Sequence, residues 1–292
     1  MTEESPPLSQ GVAYRLDGEV AVITLDNPPV NSLAHPVRQG LVGAFDAARR
    51  DPRVRAIVLA GAGRGFSAGG DIKEFGTPLA TAAPALSLHV HPVIEGSEKP
   101  VVAAIHGLAI GGGLETAMVC HYRVVAGDAK VGLPELKRGV IPLSGTQRLP
   151  RALGVATAIK LILGGELVPA RTLTNGVLFD RIVEGDAAAV LAEALRLARA
   201  RMDIRPLPLI RHRSMIEPDA AAKLAKARAR VPACEVVARE ALRAIAAAVD
   251  SSDFDAGMAV ARGIYDALVN SDDVRRQRDQ FFAEREDRGK HA

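Results

Sequence analysis

Two carboxylates and two glycine-rich stretches are where residue type and spacing could do chemistry. Glu115 follows the run Gly111, Gly112 and Gly113 in AIHGLAIGGGLETAMVC, residues 104–120, and Glu135 follows Pro134 in KVGLPELKRGVIP, residues 130–142. Each acid is set in a largely apolar stretch, the surroundings in which a carboxyl can exchange protons with a bound substrate near neutral pH. The plainer reading is a favourable negative charge in the first turn of a helix. Both readings stay open, because only a fold brings residues so far apart in the chain together. A glycine loses more backbone freedom on folding than any other residue, so three in a row raise the question of what must approach the backbone.

The second glycine stretch, GAGRGFSAGGD at residues 61–71, raises the same question. Neither stretch is a dinucleotide loop: after Gly61 and Gly63, Gly65 arrives one residue early for GxGxxG, and residues 107–113 lack the opening GxG pair. No GK[ST] follows a glycine run, as a phosphate-binding loop requires. What both stretches offer is backbone N–H groups that no side chain shields, near helix starts where the dipole adds positive potential. Two such groups from separate loops would make an oxyanion hole. The letters GxSxG at Gly65, Ser67 and Gly69 admit a serine nucleophile as a rival, with Asp128 and His212 as the partners that could be cited, although no Asp-then-His order stands out. His89 and His91 have a chelating spacing, yet no third-ligand motif accompanies them, so no metal is expected.

Alternating strands and helices must position these residues. VAYRLDGEVAVITLD alternates apolar and polar around Asp17-Gly18, which predicts an opening β-hairpin. Beyond NPPVNSL, Val37, Leu41, Ala44, Phe45 and Ala48 follow helical spacing from Pro36 to the Asp51-Pro52 break. RAIVLAG, KPVVAAIHG and YRVVAG read as strands and LETAMVC as a helix start, so an α/β core is expected to about residue 185. From Asp186 onward the chain is rich in Ala, Leu and Arg and reads as helices only. Phe254, Met258, Ala261, Tyr265 and Leu268 predict one apolar stripe. The division falls around RPLPL, giving a core over residues 1–200 and a helical region over 201–292 that covers the active site.

Composition narrows the function classes. With 292 residues and 48% hydrophobic content the chain can bury a large core, and a net charge of +3, 3% aromatics and no Trp provide neither a phosphate-tracking stripe nor a base-stacking platform. Nucleic acid is not an expected partner. MTEESPPLSQ is not a secretory signal and no apolar run reaches membrane-spanning length, so a soluble cytoplasmic protein with no membrane partner is expected. Cys120 and Cys234 are read as buried free thiols of a reducing compartment. Residues 201–230 carry eight basic and three acidic side chains, which suits either a phosphorylated ligand or a solvated helix face.

FSAGGDIKEF, KPVVAAIHGLAIGGGLETAMVC and VGLPELKRGVIP with GTQRLPRALG together resemble the enoyl-CoA hydratase/isomerase, or crotonase, family. FDAGMAVARGIYDAL and QFFAERE resemble the helical extension of the hydratase part of bifunctional β-oxidation enzymes. The resemblance implies an α/β fold with a crotonase-like ββα spiral core and a C-terminal all-helical extension. It implies that the N–H groups of Gly70 and Gly112 hold the thioester oxygen of an acyl-CoA, and that Ala68, Gly70, Asp71, Ile72, Lys73 and Gly112 line the substrate. By the same resemblance Glu115 activates water for attack at C3 and Glu135 delivers the proton to C2, with no cofactor beyond the coenzyme A of the substrate. In the fused enzymes a Rossmann domain follows, whereas this chain stops at EDRGKHA, so no hydride chemistry is expected. The resemblance allows a homo-oligomer, a trimer or a dimer of trimers, and equally a self-capped monomer. A Δ3-Δ2-enoyl-CoA isomerase and a non-catalytic acyl-CoA-binding protein are the alternatives. One departure stands out: Pro142-Leu143-Ser144-Gly145-Thr146 is a residue shorter than the family's glycine-rich turn, which predicts slower hydration and a shift toward isomerase-like chemistry.

Overall fold

The alternating opening closes into a hairpin. β1 (Val12–Asp17) and β2 (Val20–Leu25) pair antiparallel with Asp17 opposite Val20, so the loop residues are Gly18 and Glu19, one position later than Asp17-Gly18 suggests. Gly18 supplies the positive φ, 60°, that a tight hairpin loop needs. α1 (His35–Arg50) buries Val37, Leu41, Ala44, Phe45 and Ala48, the face its spacing predicts. The computed structural model describes residues 11–75, 77–214, 217–251, 253–272 and 276; QFFAERE lies outside them.

The chain forms two compact units, each discontinuous: one up to Gly132 and over Leu167–Arg213, the other over Leu133–Glu166 and from Ser214 onward. The partition therefore differs from a single cut near residue 200, because the stretch after Gly132 leaves the first unit and Leu167 re-enters it.

In the first unit, β3 (Ala56–Gly61) is followed by α2 (Pro78–Thr81), a π-helical turn (Leu86–Val90) and α3 (His91–Glu95). Then come β4 (Val101–Ile105), β5 (Leu108–Ile110), α4 (Gly112–Val119), β6 (Tyr122–Ala126) and β7 (Lys130–Gly132). The main sheet has the order β1-β2-β3-β4-β6-β9, β9 being Arg181–Val183, and every pairing after the hairpin is parallel. β4 and β6 are buried at every position, as parallel strands covered on both faces must be. The helix after Asp186 packs on β3, β4 and β6. A second sheet orders β5-β7-β8, with β8 at Val168–Pro169.

The second unit begins with a 3-10 turn at Glu135–Arg138 and continues with α5 (Gly145–Leu153) and α6 (Val155–Gly164). α7 (Ala187–Arg201) is the sheet-packing helix of the first unit; α8 (Ala220–Arg230), α9 (Val236–Asp250) and α10 (Phe254–Val269) complete the second. α10 buries Phe254, Gly257, Ala261, Ile264 and Leu268, with Met258 and Tyr265 half-buried at the flank, so the stripe is rotated from the one predicted. Gly257 lies in the buried face against α5, where a Cβ would overlap Gln147 Oε1 unless that side chain shifted. Among the described residues no helix is long and apolar enough to cross a membrane.

Burial explains two titrating groups between α4 and β6. Cys120 is buried and its thiol is pushed up to about 12 by loss of hydration, whereas Cys234 is exposed, against the expectation of two buried thiols. Cys234 lies in the short link from α8 to α9, where residues 232–235 are all exposed. His121 is 1% exposed, and its Nδ1 accepts from the N–H of Val101 at 3.0 Å, at the start of β4. Burial, reinforced by the Arg123 charge, lowers its pKa to about 4.

The folded state thus holds His121 neutral while the unfolded chain protonates it, so stability is full above about pH 6.5 and falls as pH drops toward 4, by on the order of 3 kcal/mol. His121→Asn keeps an acceptor for Val101 and removes the titration. Urea midpoints at pH 7 and pH 4.5 are expected to differ less in the variant than in the parent. Replacing Gly257 by leucine is expected to lower stability by about 1–3 kcal/mol through overpacking against Gln147, read as a lower melting temperature.

Candidate active site

The loop after β3 is built around Asn31. This residue is 3% exposed with a φ of 53°, a conformation that asparagine tolerates better than most residues. Its Nδ2 donates to the carbonyls of Ala62 and Gly65, each at 2.8 Å, and its Oδ1 accepts from Asn27 N at 2.9 Å. Residues 66–69 then run as an extended segment between two others. Ser67 N donates to Leu108 O and Ile110 N to Ser67 O on one side, while Ala68 N donates to Val30 O and Leu33 N to Gly69 O on the other. Ser67 is fully buried; its Oγ donates to Asn31 O at 2.7 Å and accepts from Gly69 N at 3.1 Å. The hydroxyl's one proton is committed to a main-chain carbonyl. The serine-nucleophile reading fails on that geometry.

The triple glycine meets this segment backbone to backbone. Gly111 has φ 54° and ψ −127°, and Gly112 is the first residue of α4, where an N–H has no acceptor within the helix. A Cβ on Gly113 would overlap Ser67 O. A Cβ on Gly69, whose φ is 87°, would lie 2.6 Å from Ile110 O and 2.8 Å from Gly112 N. The position of a Gly112 Cβ is 3.4 Å from Gly70 N and 2.9 Å from Leu86 Cδ2. The two amide nitrogens, of Gly70 and Gly112, are therefore within about 6 Å of each other, the span over which one oxygen can accept from both.

Glu115 lies one turn into α4, three residues after Gly112 and so on the same face of the helix. It is 7% exposed, and its N–H donates to Gly111 O at 3.0 Å. The next residue, Thr116, donates from Oγ1 to Gly112 O at 2.7 Å and pairs with His91 Nε2 at 3.1 Å. His91 thus braces the first turn of α4, and His89 Nδ1 accepts from Ala85 N at 3.0 Å. Both histidines have local structural partners, and among the described residues no three possible ligands cluster as a metal site.

Asp71 organises the turn that follows Gly70, accepting from Lys73 N at 2.9 Å through Oδ1 and from Ser32 Oγ at 3.3 Å through Oδ2. Gly70 and Lys73 are exposed and Ala68, Asp71 and Ile72 half-buried, so this edge of the first unit is open to a ligand. The structure brings Gly70 and Gly112 together there, and Glu115 follows Gly112 by three residues along α4. Glu135 is in the second unit, in the 3-10 turn that Gly139 ends at φ 75°; the residue is half-buried, and its Oε2 is fully buried. Gly165, at φ 56°, lets the end of α6 come against Pro134 and Lys137 and seats that turn. Asn31, Leu86, the His91–Thr116 pair and the Arg38–Glu74 pair escaped the sequence reading. Only Asn31 left a signal, as an asparagine two residues after the Pro28-Pro29 pair.

Asn31→Ala removes both side-chain bonds to the Ala62–Gly65 turn and penalises a positive φ. A loss of about 2–3 kcal/mol is expected for a buried polar group that leaves partners unsatisfied. The check is chemical denaturation, with Ser32→Ala as a control that leaves these bonds in place.

Residues 15–230 match the family model described as enoyl-CoA hydratase/isomerase. The chain is 43% identical over 192 residues to a protein named probable enoyl-CoA hydratase from Bacillus subtilis (strain 168), covering 64% of this chain and 74% of that one. It is 37% identical over 283 residues to the peroxisomal bifunctional enzyme of Homo sapiens, covering 93% of this chain and 38% of that enzyme. The chain thus spans under two fifths of the length of that relative. In fold it is similar to the crystal structure of an enoyl-CoA hydratase/isomerase from Pseudoalteromonas atlantica T6c, with a TM-score of 0.70 at 23% identity over 94% of this chain and 98% of the other. With its two glycine loops in backbone contact and a family match over most of its length, this chain belongs to the enoyl-CoA hydratase/isomerase family.

Proposed function

We propose that this protein is an enoyl-CoA hydratase, a hydro-lyase that adds water across the 2,3 double bond of 2-enoyl-CoA thioesters in fatty-acid or related acyl-CoA degradation. The observation that carries the reading is the approach of Gly70 N to the Gly112 position, with Glu115 on the same face of α4. An enoyl thioester is attacked at C3 only if the displaced electron pair can collect on its oxygen. Two preorganised backbone donors stabilise that charge more than water does. Water bonds through its oxygen to C3 as Glu115 takes its proton, the electrons move to the thioester oxygen, and the enolate collapses as Glu135 gives a proton to C2. The roles of Glu115 and Glu135 rest on the family resemblance, with the burial of Glu115 and of the Glu135 Oε2 in support.

Ala68, Asp71, Ile72 and Lys73 line the coenzyme A portion in this reading. The chemistry asks for no metal or redox cofactor, because the carbonyl of the substrate is the electron sink. A cytoplasmic location and assembly as a trimer or dimer of trimers belong to the same proposal.

A specific observation favours a second reading, Δ3-Δ2-enoyl-CoA isomerisation. By the family resemblance the turn before α5 is a residue short, and in it Leu143 and Ser144 are 8% and 1% exposed and Ser144 makes no side-chain cap to the helix. A change of about 1 Å in the placement of a reacting group can cost on the order of 10²-fold, and isomerisation needs only proton transfer within the substrate.

Crotonyl-CoA is expected to lose its enone absorbance on addition of the purified protein. Glu115→Gln and Glu135→Gln are each expected to lower turnover by about 10²- to 10⁴-fold, the usual worth of a general acid or base, while coenzyme A ester binding by calorimetry is retained. Unchanged turnover in either variant sinks the two-carboxylate mechanism; 3-enoyl isomerisation without hydration in the parent selects the second reading.

A further inference from the structure

The main chain of residues 79–84 is tied to the start of α1 by a buried ion pair. Arg38 Nη1 and Glu74 Oε2 are 2.7 Å apart, with side chains only 4% and 10% exposed. The rest of the guanidinium is spent on carbonyls: Nε donates to Pro84 O at 2.8 Å, Nη1 to Leu33 O at 3.0 Å and Nη2 to Leu79 O at 2.6 Å. Glu74 Oε1 accepts from His35 N at 2.6 Å, and His35 Nε2 reaches Ala83 O at 2.8 Å. Breaking a buried pair is costly, whereas forming one adds little net stability over apolar packing, so its use is better sought in placement. None of residues 79–84 is buried, and Leu79 is 49% exposed. Polar hooks rather than burial fix its course.

That course delivers Leu86. It opens the π-helical turn Leu86–Val90, in which His91 N donates back to Leu86 O, and such turns are rare and gather at functional sites. Leu86 Cδ2 lies 2.9 Å from the place beside Gly112 where a Cβ would be, and Gly70 N lies 3.4 Å from that same place. An oxygen accepting from both glycines has its carbonyl carbon about 1.2 Å beyond it; with C2 rather than the thioester sulfur turned toward Leu86, a substituent on C2 comes against its methyl.

We propose that Leu86 is a specificity-determining residue that selects against substituents on C2 of the acyl group, with Arg38 and Glu74 as the positioning pair that holds it there. This rests on the reading of Gly70 and Gly112 as the donors to the thioester oxygen. A linear 2-enoyl group presents a single hydrogen at C2 and fits; a 2-methyl-2-enoyl group presents a methyl that overlaps Leu86 Cδ2.

The test is kcat/KM for crotonyl-CoA and for 2-methylcrotonyl-CoA in the full chain. Leu86→Ala is expected to raise the branched-to-linear ratio by about tenfold or more, the discrimination that a methyl-sized contact supports. Arg38→Lys keeps the charge and loses the fork to the Leu79 and Pro84 carbonyls; it is expected to shift the ratio in the same direction by a smaller factor. Combining the two is expected to add nothing further to the ratio, as coupled sites behave. Loss of melting temperature in Arg38→Lys with an unchanged ratio overturns the positioning role, and equal changes on both esters in Leu86→Ala overturn the specificity role. If the parent hydrates crotonyl-CoA and the ratios do not move, only Leu86 is misassigned; if the parent acts on neither ester, the donor assignment falls as well.

Discussion

Contact between two stretches of bare backbone is the constraint on which the candidate site depends. Gly69 meets Gly112, and Gly113 meets Ser67, at distances that no side chain allows: a Cβ on Gly69 would lie 2.8 Å from Gly112 N, and one on Gly113 would overlap Ser67 O. Bringing main chain against main chain leaves N–H groups facing a shared space in place of side chains. Such groups cost no reorganisation when charge appears on a substrate oxygen. The same approach sets the start of α4, because Gly111 must take φ 54° for the helix to begin where it does, and the start of α4 in turn fixes Glu115.

Irregular backbone inside a protein has to satisfy its polar groups, and the first unit does so with side chains. Asn31 closes the Ala62–Gly65 turn, Ser67 Oγ links Asn31 O to Gly69 N, and Thr116 joins Gly112 O to His91. The parallel sheet provides the rigid side of this arrangement. β3 leads into the first loop and β4, through β5, into the second, and the two strands are neighbours in register from Ile57↔Val101 to Ala60↔Ala104. Loops that leave adjacent parallel strands at the same end emerge side by side, the place where ligands bind in open α/β sheets.

The second unit is organised by α5. Arg148 and Arg151 lie over the ring of Phe254 at 4.7 and 5.3 Å, and Gln147 donates through Nε2 to Ala244 O at 2.8 Å, so one helix carries contacts to both α9 and α10. Burial and the neighbouring Arg148 charge lower the pKa of Arg151, and its guanidinium still donates to Gln147 O at 2.8 Å. The stretch that carries Glu135 enters this unit directly after β7, which is why a boundary drawn from composition at residue 200 misses it: the helical character appears late in the sequence, but its packing partners, α5 and α6, come earlier.

By itself the sequence determined the elements and the chemistry at hand. The spacing of Val37, Leu41, Ala44, Phe45 and Ala48 is the buried face of α1, and the apolar runs in RAIVLAG and KPVVAAIHG are β3 and β4. Local patterns of this kind are legible because period and propensity act over a few residues. The glycines and the acids were legible as residue types, and the family motifs that they build were legible as a set. Only the tertiary structure decided what each does next to what. It consumed the Ser67 hydroxyl in a turn, rotated the α10 stripe onto Gly257, left Cys234 exposed, and put Leu86 beside Gly112 by way of an ion pair between Arg38 and Glu74. Contacts across such sequence distances depend on which surfaces meet once the sheet is assembled, and no local pattern encodes that meeting.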